Sequence, residues 1–247
     1  MIRVCVAGVT GWMGGAVAKA IDAAADLELA AGVSRSGNFS SVAQALDSTP
    51  ADVLVDYTNA EAVKGNVLAA VERHVNVVIG SAGLSDSDYM EIDVRAREQG
   101  IGVISGNFTL TAGLLCRLAA EAARHMQAWE VIDYARASKR DSPSGTARDL
   151  AERLDRVRAP SLAVPLSQTQ GAREARGATI AGSQVHSLRL PSFTVSTEVV
   201  FASEGERLSI RHDAGETPAP YVAGTLLAIR AVPGRIGLTR GLDILLS

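Results

Sequence analysis

Residues Ile2 to Ala24, "IRVCVAGVTGWMGGAVAKAIDAA", decide the fold. A short β-branched run, a turn carrying Gly8, Gly11 and Gly14, and an alanine-rich helical stretch follow one another without a spacer. In such a unit the glycines permit a tight turn and close backbone approach to a phosphate. The helix start adds N–H groups that lack intrahelical partners. The spacing is G-x-x-G-x-x-G rather than the usual G-x-G-x-x-G, and glycine-rich turns also arise from packing alone, so the triplet is read by its context.

That context is repeated alternation of strand and helix. "LELAAGVSR" reads as a second strand and "DVLVDYT" as a third, followed by the helical "AEAVKGNVLAAVERH" and the strand "VNVVIGS". The helix "DSDYMEIDVRAREQ" and the strand "GIGVISG" complete the series. This is the pattern of an α/β fold, a Rossmann-type doubly wound parallel sheet. After Asn107 the pattern changes. The apolar helix "AGLLCRLAAEAARHM", the strand "WEVIDYARAS" and the helix "ARDLAERLDRV" precede a polar segment, residues 159–182, read as loop. Three strands, "QVHSLRLP", "FTVSTEVVFAS" and "ERLSIRHDA", then predict a second α+β domain with a mostly antiparallel sheet. The helix "APYVAGTLLAIRAV" returns to the first domain, and "GLDILL" is expected to add a final strand. The expected partition is a dinucleotide-binding domain over residues 1–107, completed by 216–247. Residues 108–215 form a substrate-binding and oligomerisation domain.

Composition narrows the function. The 247 residues are 47% hydrophobic and 21% charged, with a net charge of −3, which gives no basic footprint for nucleic acid. No apolar run reaches the roughly 18 residues of a membrane span, and the N-terminus is too strand-like for a signal peptide. Cys5 and Cys116 sit in apolar runs and form no metal-ligand or redox pair. The expectation is a cytoplasmic protein with buried thiols and no metal. Of 24 lysine plus arginine residues, only Lys19, Lys64 and Lys139 are lysine, so each lysine carries weight.

The end of the second strand bears on the cofactor. Sites that prefer NAD place an acid there for the ribose 2′-hydroxyl. Here the run is Ser34-Arg35-Ser36, in which an arginine and hydroxyls suit a 2′-phosphate. NADPH is the expected cofactor, with NADH as the alternative.

A second loop, "KRDSPSGTA", Lys139 to Ala147, places a lysine ahead of a hydroxyl-rich turn and a helix. Ser144 and Thr146 are natural N-cap residues, and Gly145 lets a ligand approach the backbone. The turn either only caps the helix or also binds a carboxylate there, with Lys139 as a proton donor.

At these positions the chain resembles the dihydrodipicolinate reductase family over nearly its whole length. "GVTGWMG" (Gly8–Gly14) is similar to that family's G-x-x-G-x-M-G, "VDYTNAEAV" to D-F-T-x-P-E, and "GSAG" (Gly80–Gly83) to G-T-T-G. "GNFTLTAG" resembles N-F-S-x-G, "KRDSPSGTA" K-x-D-A-P-S-G-T-A, and "HSLRLPSF" H-S-x-R-L-P-G. The resemblance implies an NAD(P)H-dependent reductase that passes hydride to a cyclic unsaturated carboxylate such as 4-hydroxy-tetrahydrodipicolinate. It implies that Gly8, Val9, Thr10, Gly11, Trp12 and Met13 hold the pyrophosphate and that Ser34 and Arg35 hold the ribose phosphate. Gly80, Ser81, Ala82, Ser105, Gly106, Asn107 and Phe108 would lie along the nicotinamide. Lys139 would donate the proton, Gly145 and Thr146 with Ser144 would bind a substrate carboxylate, and the second sheet would join a homo-oligomer, tetramer or dimer.

One departure stands out. The family pattern before the lysine is H-H-x-x-K, and here the two histidine positions are Ala135 and Arg136. Arg136 suits a carboxylate but holds its proton too tightly for acid catalysis. Tyr134, one residue earlier on a strand, is expected to face the other way. His74, His125, His186 and His212 all lie outside this loop. The alternatives are a paralogue that reduces a different cyclic imine acid, or an idle protein that binds NADPH and a small acid.

Overall fold

The computed structural model describes residues 1–246 and divides into two units, Met1–Leu110 with Thr217–Ser247, and Thr111–Glu216. In the first unit four strand–helix steps and a fifth strand run β1 (Ile2–Ala7), α1 (Trp12–Asp22), β2 (Leu27–Val33), α2 (Val42–Ser48), β3 (Val53–Asp56), α3 (Val63–Val71), β4 (Asn76–Ile79), α4 (Asp86–Glu98) and β5 (Gly102–Ser105). All sheet pairings are parallel, and the strand order is β2-β1-β3-β4-β5, extended by a last strand at Gly237–Arg240 that pairs with β5. The order reverses between β1 and β3, so the crevice outside their C-terminal ends is where such sheets bind ligands.

Period-2 alternation feeds two cores. Leu54, Val77, Ile79 and Val103 face Val63, Val67 and Ile92 on one side of the sheet. Val4, Val6, Val55, Val78 and Ile104 face Val17, Ile21 and Ile229 on the other. Burial pushes the Cys5 thiol up to about 12 and leaves it inert, and Cys116 is likewise buried and outside any disulfide. Among the described residues no helix is long and apolar enough to cross a membrane, and no group of His, Cys, Asp or Glu is arranged to hold a metal.

Two expectations change here. "GLDILL" is not a strand: the strand lies just before it at Gly237–Arg240, and Asp243–Leu245 form a 3-10 turn. Helix α2 was not expected from its mixed composition. Its signal is the S-x-x-Q pair Ser41 and Gln44, in which the Ser41 hydroxyl accepts the Gln44 N–H at 3.2 Å.

The second unit holds α5 (Leu110–His125), β6 (Ala128–Ala135), α6 (Gly145–Val157), β7 (Ala178–Ile180), β8 (Ser183–Arg189), β9 (Val195–Ser203) and β10 (Glu206–Ala214). The sheet order is β10-β9-β6-β8-β7, antiparallel except for β6 with β8. The segment read as loop, 159–182, contains two 3-10 turns and the short edge strand β7. One sheet face carries Trp129, Val131, Val199 and Phe201 and packs on Leu115, Ala119, Leu150 and Leu154 of the helices. The other face, with Ile132, Tyr134, Leu188 and Val200, lines a cavity of about 740 Å3. Helix α7 (Ala219–Ala231) and the last strand, β11 (Gly237–Arg240), belong to the first unit.

Two glycines test the packing that builds the first turn. A Cβ on Gly14 would run into the Gly8 carbonyl oxygen, whereas one on Gly65 in α3 meets nothing within 4 Å. Gly14→Ala is expected to destabilise the protein by about 1–3 kcal/mol, and Gly65→Ala to stabilise it by about 0.5–1 kcal/mol. Urea unfolding measures both, and equal effects would contradict this packing.

Candidate active site

The glycine loop leaves β1 at Gly8, whose φ of +82° and contact with the Tyr57 carbonyl admit no side chain. The Gly8 N–H donates to the Val33 carbonyl at 2.9 Å, and the Gly11 N–H to the Gly8 carbonyl at 2.8 Å. Gly11 caps α1 without a side-chain hydrogen bond. The amides of Trp12, Met13 and Gly14 therefore open the helix as donors, with no acid in the first turn. Val9 packs over Gly32, Thr10 is exposed, Met13 leans on the core, and the exposed Trp12 meets Tyr221 edge-on at 6.3 Å. A cradle that a Cβ would fill, at a helix start, fits a pyrophosphate.

At the end of β2, Arg35 is exposed and forms no ion pair among the described residues. The Ser34 hydroxyl is buried without a hydrogen-bond partner there. Asp56 ends β3 fully buried. Its Oδ1 accepts from the Thr58 N–H at 3.0 Å, the Thr58 hydroxyl at 2.8 Å and the Ser81 hydroxyl at 2.6 Å, and its Oδ2 from Asn66 at 2.8 Å. The Ser81 hydroxyl is thus committed, and Gly80, Ser81 and Ala82 offer mainly their backbone. Gly80 has no side chain because the Tyr57 ring occupies that space. The Tyr57 phenol is pushed up by burial and shares a 2.6 Å hydrogen bond with Thr225. The Ser105 hydroxyl, at the end of β5, bonds the Tyr89 phenol at 3.1 Å. Gly106 lies against Gly241, and Asn107 accepts the Thr109 N–H at 3.0 Å. The Phe108 side chain is in the core. The expected cofactor residues therefore gather at the C-terminal ends of β1, β2, β4 and β5.

In the second unit the Lys139 ammonium, 24% exposed, pairs with Asp141 at 2.8 Å, and the Lys139 N–H donates to the Arg136 carbonyl at 3.0 Å. Burial pushes the Asp141 carboxyl up, but the hydrogen bond and charge of Lys139 outweigh it and hold it below the ordinary value. Helix α6 begins at Gly145, two residues before the expected start. Ser144 is its N-cap, accepting the Ala147 N–H at 3.3 Å, and Thr146 lies in the first turn. A Cβ on Gly145 would meet nothing within 4 Å, so its absence keeps the helix start open rather than relieving a clash. Arg136 and Arg140 are exposed and form no ion pair among the described residues.

The histidine positions differ in kind. Ala135 is fully buried on the helix-packed face of β6, whereas Arg136 is exposed. Tyr134 lies on the opposite face, stacked on Phe193 with Arg211 over its ring at 4.7 Å, and its hydroxyl donates to Glu198 at 3.0 Å. Burial first, then Glu198, raises that phenol. His186 is bound to Glu130 at 2.7 Å and His212 to Thr111 at 2.8 Å, with burial lowering the pKa of His212. Two residues escaped the sequence reading. Asp133, fully buried on β6, pairs with Arg189 at the end of β8 at 2.8 Å, and both reach the 141–144 turn. The available signal was an acid at a buried position of the alternating strand "WEVIDYA".

Family models described as "Dihydrodipicolinate reductase, N-terminus" and "Dihydrodipicolinate reductase, C-terminus" match residues 2–108 and 111–244. The 4-hydroxy-tetrahydrodipicolinate reductase of Cutibacterium acnes is 38% identical, over 100% of this chain and 99% of the relative. That of Mycobacterium sp. (strain KMS) is 34% identical with the same coverage. The solved dipicolinate-bound dihydrodipicolinate reductase from Paenisporosarcina sp. TG-14 superposes with a TM-score of 0.82 at 25% identity, covering 99% of both chains. GenD2 from gentamicin A biosynthesis, in complex with NAD, shares the fold at a TM-score of 0.68 and 15% identity, over 99% of this chain and 90% of that one. A glycine cradle at the switch point of a parallel sheet, and matches that run from end to end, lead to one conclusion: the chain is a nicotinamide-dependent oxidoreductase belonging to the dihydrodipicolinate reductase family.

Proposed function

We propose that the protein reduces 4-hydroxy-tetrahydrodipicolinate, or a closely similar cyclic imine acid, with NADPH preferred over NADH. Nicotinamide, when bound, supplies the hydride. The chain's own residues bind, orient and protonate. The amides of Gly145 and Thr146 and the Ser144 cap receive one substrate carboxylate, with Arg136 available to the other. Lys139 hands a proton to the reduced product directly or through water. The observation that carries this reading is the pairing of an open helix start at Gly145 with a lysine held beside the same turn by Asp141. Two buried cysteines outside any disulfide support a reducing compartment, the cytoplasm. The apolar outer face of the second sheet supports a homo-oligomer, dimer or tetramer. Light scattering on the purified protein reads the assembly, and a monomer at micromolar concentration contradicts it.

The cofactor preference rests on Arg35 and the hydroxyl of Ser34 in place of an acid at the end of β2. NADPH is expected to bind several-fold tighter than NADH by calorimetry, and Arg35→Ala to narrow the gap. Tighter NADH binding by the wild type refutes the preference.

The role of Lys139 separates chemistry from decoration. Lys139→Ala is expected to lower kcat by about 10²-fold or more, with stability changed by no more than about 1 kcal/mol and cofactor affinity unchanged. Lys139→Arg keeps the charge but not a transferable proton, so it is not expected to restore turnover. Steady-state kinetics decides, and a Lys139→Ala enzyme as fast as wild type overturns the assignment.

A further inference from the structure

The buried ion pair of Asp133 and Arg189 has no part in the steps above, yet every contact it makes runs to the substrate loop or the strand ends beneath it. Asp133 Oδ2 accepts the Ser144 N–H at 2.8 Å, the Ser187 hydroxyl at 3.1 Å and Arg189 Nη2 at 2.8 Å. The same Nη2 donates to the Asp141 carbonyl at 2.7 Å, and Nη1 to the Leu188 carbonyl at 2.9 Å. The turn between Lys139's partner, Asp141, and the N-cap Ser144 is therefore gripped at both ends. Ser144 also accepts the Arg148 N–H on its carbonyl at 3.0 Å and the Ala147 N–H on its hydroxyl at 3.3 Å, so the grip on its N–H bears on the helix start that presents the amides of Gly145 and Thr146. Charge matters as well. A lone carboxylate 2.8 Å from the Ser144 amide would repel an anion at the same helix start, and Arg189 cancels that field locally. A pair needed for stability alone has no reason to spend two of its contacts on this turn.

We propose that Asp133 and Arg189 are positioning residues that hold the 141–145 turn in the shape that binds a substrate carboxylate. The proposal rests on the carboxylate site assigned above.

Arg189 is the partner to vary, because it is 17% exposed whereas Asp133 is fully buried. Calorimetry on the whole protein measures the Kd of pyridine-2,6-dicarboxylate in the presence of NADPH and, separately, that of NADPH. Amide exchange reads residues 141–147 against the core helix positions Leu150 and Leu154. Arg189→Met is expected to weaken the dicarboxylate at least about tenfold, the scale of a lost charged hydrogen bond, with NADPH affinity within twofold. Faster exchange is expected to be confined to 141–147. Arg189→Lys, which keeps the charge but not the two-point grip, is expected to fall between the two and carries the test if the methionine variant does not fold. A dicarboxylate Kd and loop exchange unchanged in either variant overturn the proposal. So does a loss shared equally by NADPH affinity and core exchange, which marks a merely structural pair. If the wild type binds no dicarboxylate, the substrate reading fails, and loop exchange alone then decides whether the pair positions the turn.

Discussion

Asp56 and Asp133 are both fully buried carboxylates near the C-terminal ends of strands, and a buried charge has to collect donors. Asp56 draws in Thr58, Asn66 and Ser81, which ties β3 to the Gly80–Ala82 segment. Asp133 draws in Ser144, Ser187 and Arg189, which ties β6 and β8 to the start of α6. In each unit the backbone that would meet a ligand is thus fixed by a carboxylate beneath it. Water at these positions would leave the loops free. The donors gathered on both oxygens of Asp56 and on Oδ2 of Asp133 give them one shape.

The chemistry of the loop is lopsided in consequence. The parts that the proposed carboxylate site calls for are present: an N-cap at Ser144, an open Gly145, and cations at Arg136 and Lys139. For acid–base chemistry the proposed site has Lys139 alone. The two positions where the family pattern carries histidines do not offer equivalent room. Arg136 is exposed, but Ala135 is buried against the helix-packed face, where a ring would overpack the core. Ala135 thus belongs to the core and Arg136 to the surface, at the two positions where the family pattern carries histidines.

Much of this was legible in the chain. Alternation of period 2 with helical stretches fixed the parallel sheet, and the Gly8–Gly14 spacing located the turn whose glycines the structure requires at the Gly8 carbonyl. Residue type offered Ser144 and Thr146 as N-caps, and the structure selects Ser144, with Thr146 inside the first turn. What escaped depends on contacts across long sequence separations. Arg189 lies 56 positions from Asp133, and no local pattern reveals that a hydroxyl such as that of Ser81 is already committed to Asp56. The misplaced final strand has a local cause: "GLDILL" is more apolar than "GLTR", and only pairing with the edge of β5 marks the latter as the strand. Helix α2 was missed because its seven residues are too few to show a period, although its cap at Ser41 was visible.

The most direct measurement is steady-state oxidation of NADPH by the wild-type protein with enzymatically generated 4-hydroxy-tetrahydrodipicolinate. The expected result is oxidation that depends on that substrate and saturates with it, as the proposed roles of the Ser144–Thr146 turn and Lys139 require. Tight binding of NADPH and of a dicarboxylate without any oxidation would contradict it, and would make this chain a binding protein built on a reductase fold.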